Sequence, residues 1–255
     1  MTPDTDTLAK ANASSYSGDA FNGYSRVAEL SSPDISTFKH NEQNHFIVSH
    51  KGTDVHSDTL KKDLKSDLNI LVGNTNHDNL HNKRAEQTEN IYKKIKETNP
   101  DSEIHLTGHS LGGSTSQASL IKSQFVRDNT TSHNTFNAGT SPLQSKTADT
   151  NHENYKQIAD ISTHHRVKGD SISSSIHDSM IGNVKHYDAK PLTIPQHILN
   201  YVKPIAEQSK LGKLAHFAAS KIAQTLSSHS LNNFTASTNK SKNPLKKIVN
   251  AFKKI

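Results

Sequence analysis

Twelve residues, Glu103–Ser114, constrain this chain more than any others: Glu-Ile-His-Leu-Thr-Gly-His-Ser-Leu-Gly-Gly-Ser. Ile104 and Leu106 alternate with polar neighbours, the period of a strand. Beyond them, Ala118, Ile121, Phe125 and Val126 have the spacing of one helical face, which predicts a helix over 114–128. Between strand and helix lies Gly-x-Ser-x-Gly, the pattern of a sharp turn that lifts a serine hydroxyl above a sheet. In so tight a turn backbone meets backbone, and a β-carbon at Gly108 or Gly112 would collide. The amides that open the helix would point at any oxyanion formed on Ser110. Ser110 is the candidate nucleophile.

A chain of 255 residues fits one sizeable α/β domain, or one domain with an appendage. Only 31% of the residues are hydrophobic and none is Trp, so the core must be economical. The absence of cysteine excludes disulfide and thiol chemistry. Met1–Lys10 holds acids and no apolar segment, and no apolar run approaches the roughly 20 residues that span a bilayer. The expected protein is soluble or peripheral to a membrane. Its formal charge of +6 equals that of residues 240–255, which hold six lysines and no acid. The body is therefore neutral, which argues against a nucleic-acid-binding surface and for a local cationic tail.

Taken in order, residues 1–24 are polar and weakly periodic, and a loosely ordered start is expected. Ile35–Lys39 and His45–Ser49 flank a polar turn and read as a hairpin, the second strand apolar enough to be central. That strand runs into His50-Lys51-Gly52-Thr53, and Thr53 could supply a second oxyanion donor. Leu60, Leu64, Leu68 and Leu71 form a helical stripe whose first part, 54–64, is a candidate lid, and Asp67 lies within it. Leu80–Asn99 reads as a charged helix with Ala85, Ile91 and Ile95 inward. Short strands are expected at 134–137 and 158–167, with an edge hairpin near 184–187. Two helices are expected over 194–226, and residues 244–255 form a basic amphipathic helix after a polar linker.

A serine hydroxyl needs an imidazole to take its proton and a carboxylate to orient that imidazole. On a sheet with this turn the chain order is serine, acid, histidine. Asp170 is favoured because it follows a strand and Gly169, with Asp178 as its rival. His229 is favoured by its polar loop, although His177, His186, His197 and His216 also follow Asp170. The 17 histidines fall into no established ligand spacing and are read as solvated, so neither metal nor cofactor is expected.

These stretches together, with Asp67-Leu68 and the run His165-Arg166-Val167-Lys168-Gly169-Asp170, resemble the class 3 lipases of the α/β-hydrolase fold. The similarity covers roughly residues 25–235 and implies a mostly parallel sheet flanked by helices, with a basic C-terminal tail beyond it. By that resemblance Ser110, Asp170 and His229 form the triad, and the amides of Thr53 and Leu111 hold the oxyanion. The substrate would be a lipid ester. Ser66, the loop 137–142 and the lysines of the lid segment depart from the family pattern. The Asn-, Lys- and Ser-rich composition is similar to that of relatives from large viruses or intracellular microbes. The expected function is cleavage of triacylglycerol or phospholipid esters, with residues 244–255 touching anionic membrane. A non-lipid carboxylesterase and a catalytically silent binding protein are the alternatives. Oligomeric state is not legible.

Overall fold

A computed structural model describes residues 2–52, 77–138, 152–170, 180–189 and 231–235. The first element is helix α1, Thr5–Ser17, followed by strand β1, Tyr24–Arg26, and a short 3-10 turn at Ala28–Leu30. Strands β2 (Ile35–His40) and β3 (His45–His50) come next, then helix α2 (His77–Thr98) and strand β4 (Glu103–His109). Helices α3 (Leu111–Lys122) and α4 (Gln124–Asp128) lead to β5 (Ser132–Phe136). Helix α5 (His152–Ile161), strands β6 (Ser162–Val167) and β7 (Asn183–Tyr187), and a 3-10 turn at Leu231–Asn233 complete the described elements.

The strands form a seven-stranded sheet in sequential order, β1 to β7. β1, β2 and β3 pair antiparallel, whereas β3 to β7 pair parallel. Parallel strands added in one direction through right-handed crossovers put their helices on one face. The packing agrees. Ile91, Tyr92 and Ile95 of α2, Leu120 of α3, Val126 of α4 and Ile158 of α5 share one core with Phe46, Val48, Ile104 and Leu106. The opposite face packs Leu8, Ala9 and Ala11 of α1 on Phe38, Ile47, Phe136 and Val167, with Phe234 beside them.

Several expectations change against this architecture. The N-terminal residues are not loose: Asp4 caps α1 by accepting from the Thr7 amide (2.7 Å), and Gly18 ends it in the left-handed region at φ 81°. What holds the helix down is polar. Asn12 Nδ2 donates to Thr107 Oγ1 at 2.8 Å and Asn12 Oδ1 accepts from Ser49 Oγ at 3.2 Å, so an apolar count misses the docking. The helix expected over 114–128 starts at Leu111 and breaks at Ser123, whose hydroxyl caps α4 by accepting from the Val126 amide. The strand expected from residue 158 begins only at Ser162, because Ile158 lies on α5 and packs in the helical layer. Residues 183–187, expected in an edge hairpin, form a strand that pairs parallel with β6 and stands last in the sheet among the described residues.

The largest difference concerns histidine. His50, His105, His133, His164 and His165 are buried, not solvated. Each ring is bonded to hydroxyl, amide or carbonyl groups on neighbouring elements. His50 bridges Thr115 (3.0 Å) and Thr88 (2.9 Å), and His133 bridges Ser116 and Ser162 at 2.9 Å each. His164 Nε2–H donates to the Ile181 carbonyl (2.9 Å), which leaves Nδ1 to accept from Thr135 Oγ1 (2.8 Å). In a chain with few large apolar residues, these pairs fill sheet–helix space while satisfying every atom they use.

Burial pushes His105, His164 and His165 down to about 4, and pushes His50 and His133 well below the usual imidazole range. The unfolded chain takes up these protons near pH 6.5, whereas the folded chain takes them up only near pH 4 or lower. Stability is therefore full above about pH 6.5 and falls as pH drops towards 4, by about 1.4 kcal/mol per pH unit for each such group. Urea midpoints measured from pH 8 to 4.5 should be level at the alkaline end and drop steeply below pH 6.5. A midpoint unchanged between pH 7 and 5 would contradict this account.

Candidate active site

β4 is the central strand of the seven, and Ser110 sits where it turns into α3. Its backbone has φ 56° and ψ −127°, a conformation that non-glycine residues adopt at a cost. Neighbouring backbone holds it there. The Ser110 amide donates to the Phe136 carbonyl (3.0 Å), and the Ser110 carbonyl accepts from the Gly113 amide (3.0 Å). A β-carbon on Gly108 would come within 2.3 Å of the Gly112 backbone, and one on Gly112 within 2.1 Å of the His50 carbonyl oxygen. These glycines let the first turn of α3 press against the ends of both β3 and β4. Leu111, buried, opens that turn, where backbone amides have no partner within the helix.

The end of β3 is fixed from three sides. His50 ties it to α2 and α3 through its two ring nitrogens. The Arg84 guanidinium, from α2, donates to the Lys51 carbonyl (2.8 Å) and to Thr115 Oγ1 (3.1 Å), and approaches Asp34 Oδ1 (3.4 Å). Gly52 is buried, with space for a β-carbon closed by the His109 carbonyl, the Tyr16 hydroxyl and the Ser110 β-carbon. The backbone leading to residue 53 is thus delivered to within contact of Ser110.

On the other side of Ser110, Asn137 follows β5 at φ 44° and is fully buried. Its amide donates to the His165 carbonyl (2.8 Å), and its side-chain oxygen accepts from the Val167 amide (2.9 Å), which clamps β5 to β6. β6 then ends in Lys168-Gly169, with Gly169 at φ 79°, and Asp170 follows. Asp170 is fully buried, and its amide donates to the Val167 carbonyl (3.1 Å). Ser110 and Asp170 both lie just beyond the C-terminal ends of parallel strands, where ligands of open α/β sheets bind.

Thr53 and His229 lie outside the described residues, as do the candidate lid at 54–64, Asp67, Asp178, His177, His197, His216, the helices expected over 194–226 and the basic tail. Leu231–Thr235, two residues beyond His229, is described. Its Phe234 packs edge-on against Phe136, with ring centroids 5.0 Å apart, and against Tyr187 at 5.2 Å. His186, a weaker candidate, is exposed on the edge strand β7. Three residues near the site carried no sequence signal. Arg84 lies in a run of charged helix residues, Asn137 in a short polar stretch, and Tyr16 in the segment expected to be loose.

A serine held at positive φ between a central parallel strand and a helix, on a mostly parallel sheet with helices on both faces, defines the α/β-hydrolase fold. Within that fold the sequence itself is specific. The chain belongs to the class 3 lipase family, whose model, Lipase (class 3), matches residues 34–171, just over half of its length. The match begins just before β2 and closes one residue past Asp170, so it contains both described candidates. Membership makes the chain a lipase-type ester hydrolase by family. No curated protein matches it.

The glycine contacts give a direct test. Gly112→Ala forces a β-carbon onto the His50 carbonyl and should cost about 3 kcal/mol or more, because backbone on both sides has nowhere to move. Gly18→Ala, at φ 81° but with open space around it, should cost only about 1–2 kcal/mol. Urea denaturation of the two variants separates them. Equal costs would mean that the turn is not packed as described.

Proposed function

We propose that this chain hydrolyses carboxylic esters of lipids through an acyl-enzyme on Ser110. The observation that carries the reading is the backbone of Ser110, held at φ 56° beside Gly52 and two strands away from the segment that leads to Asp170. Strain of this kind persists where the surroundings enforce it, and here it raises a hydroxyl at the mouth of the sheet.

The chemistry follows from the residue types. His229 Nε2 takes the Ser110 proton as Oγ attacks the ester carbonyl, and the Asp170 carboxylate holds the imidazole in the tautomer that can accept it. The carbonyl oxygen becomes an oxyanion, which the amides of Leu111 and Thr53 receive. Each such donor lowers the barrier by about 3 kcal/mol. The imidazolium then passes its proton to the leaving alcohol, and water attacks the acyl-enzyme by the same route to release the acid. Support for His229 comes from Leu231–Thr235, which packs through Phe234 on Phe136, the residue whose carbonyl receives the Ser110 amide. Support for the oxyanion role of Thr53 comes from Arg84 and His50, which fix the two residues before Gly52.

The family match makes a lipid acyl ester the substrate class, and the six lysines of residues 240–255 favour phospholipid with an anionic head group.

Labelling with a fluorophosphonate tests the nucleophile. Wild-type chain should label at Ser110 and Ser110→Ala should not, with ester hydrolysis lost in parallel. Asp170→Asn should fold but lose about 10⁴-fold in kcat. Labelling that survives Ser110→Ala, or full activity in Asp170→Asn, would end the proposal. Chain-length preference on nitrophenyl esters against phospholipid vesicles of varied charge distinguishes lipid from non-lipid esters. Deletion of residues 240–255 should weaken binding to anionic vesicles at low salt.

A further inference from the structure

At the opposite ends of the central strands from Ser110, three potential ligands meet. His45 opens β3 and stands in register with Glu103, which opens β4. His105 lies two residues along β4 and so projects from the same face as Glu103. His45 Nε2 is 3.4 Å from Glu103 Oε2, and His105 Nε2 is 3.7 Å from the same oxygen. One ligand atom from each residue lies within 4.8 Å of those of the other two.

We propose that His45, Glu103 and His105 form a binding site for a divalent transition-metal ion, zinc being the best fit. Zinc takes imidazole nitrogen at about 2.0–2.1 Å and carboxylate oxygen at about 2.0–2.2 Å, in tetrahedral geometry. Ligand atoms around such an ion stand about 3.3–3.5 Å apart. The separations of 3.4 and 3.7 Å are already close to that span, so binding needs little movement.

The second observation is the state of the rings. His105 is wholly buried, and its Nε2 has no hydrogen-bond partner among the described residues. Its other nitrogen is engaged: Nδ1 and Ser132 Oγ lie 2.9 Å apart, and Ser132 is the register partner of His105 on β5. In the tautomer whose Nδ1–H donates to the Ser132 hydroxyl, the Nε2 lone pair is bare and faces Glu103, the arrangement of a metal-ligating histidine with its outer-shell partner. A bare His105 nitrogen 3.7 Å from a carboxylate oxygen is poorly satisfied alone, and a cation shared with His45 resolves it. Glu103 is half-exposed, which gives the ion an entry path and leaves its fourth position to water.

The site lies about 20 Å from Ser110, the length of β4. Its role is to cross-link the starts of β3 and β4, the two strands whose far ends carry the oxyanion segment and the serine. Oxygen-loving magnesium, which prefers six oxygen ligands, is a poor occupant.

The test uses the full chain without a histidine tag, stripped with a chelator and titrated with zinc by calorimetry at pH 7.5. One saturable equivalent is expected, and zinc but not magnesium should raise Tm. Glu103→Gln and His45→Gln should each weaken that equivalent at least tenfold and abolish the Tm rise, while His186→Gln leaves both unchanged. Far-UV circular dichroism and fluorophosphonate labelling of Ser110 report whether the variants are folded. Titration of the wild type with cobalt adds a readout independent of any variant, the visible absorption of a tetrahedral site. Zinc binding unaltered in both variants, or no saturable binding in the wild type, overturns the proposal and leaves the cluster as two histidines beside a carboxylate.

Discussion

The structure depends on one close approach of backbone to backbone. Gly112, in the first turn of α3, lies against the His50 carbonyl at the end of β3, and Gly108 lies against Gly112. With no side chain at either position, the helix can begin immediately after the strand, and Ser110 is forced into positive φ at the junction. Everything proposed about chemistry rests on that geometry. A serine on an ordinary loop could turn away from a partner base, whereas the backbone of this one is pinned by the Phe136 carbonyl, which accepts from its amide, and by the Gly113 amide, which donates to its carbonyl.

Around this turn the chain builds its interior from an unusual mixture. Ile, Val and Leu from β3 and β4 fill the helical side of the sheet. Further out, imidazole and hydroxyl groups take their place: His133 between Ser116 and Ser162, His164 between Thr135 and the Ile181 carbonyl, His50 between Thr88 and Thr115. Such pairs are directional, so they fix register between β5, β6 and α3 more tightly than apolar contact does. They also exact a penalty in acid, since each buried ring resists the proton that the unfolded chain accepts. The same network places the ends of β3 and β6, and with them the segments on either side of Ser110.

How much of this could be read from the chain alone varies with the kind of interaction. Ile104 and Leu106, and the apolar run of 45–49, announced the two central strands because burial on both faces leaves a direct trace in composition. Gly108, Ser110 and Gly112 announced the turn because sterics tie residue type to conformation. Helix α1 left no such trace, since Asn12, a polar residue, anchors it to Thr107 and Ser49. Ile161, Thr163, His165 and Val167 imitate a single strand, but Ile161 ends α5 and only the residues after it pair with β5. The histidines were misread for a related reason: an imidazole buried against a hydroxyl and one in solvent look alike in sequence.

The sequence by itself determined the strand–serine–helix turn, the parallel sheet it requires and the family, because these follow from local sterics and from spacing along the chain. Only the tertiary structure decided which polar residues are inside, that Asp170 is buried beside the end of β6, and that His45 meets Glu103 across β3 and β4. The physical reason is register. Hydrogen-bonded pairing of strands brings together residues 58 positions apart, and no local pattern records which polar atom will find its partner on the neighbouring strand.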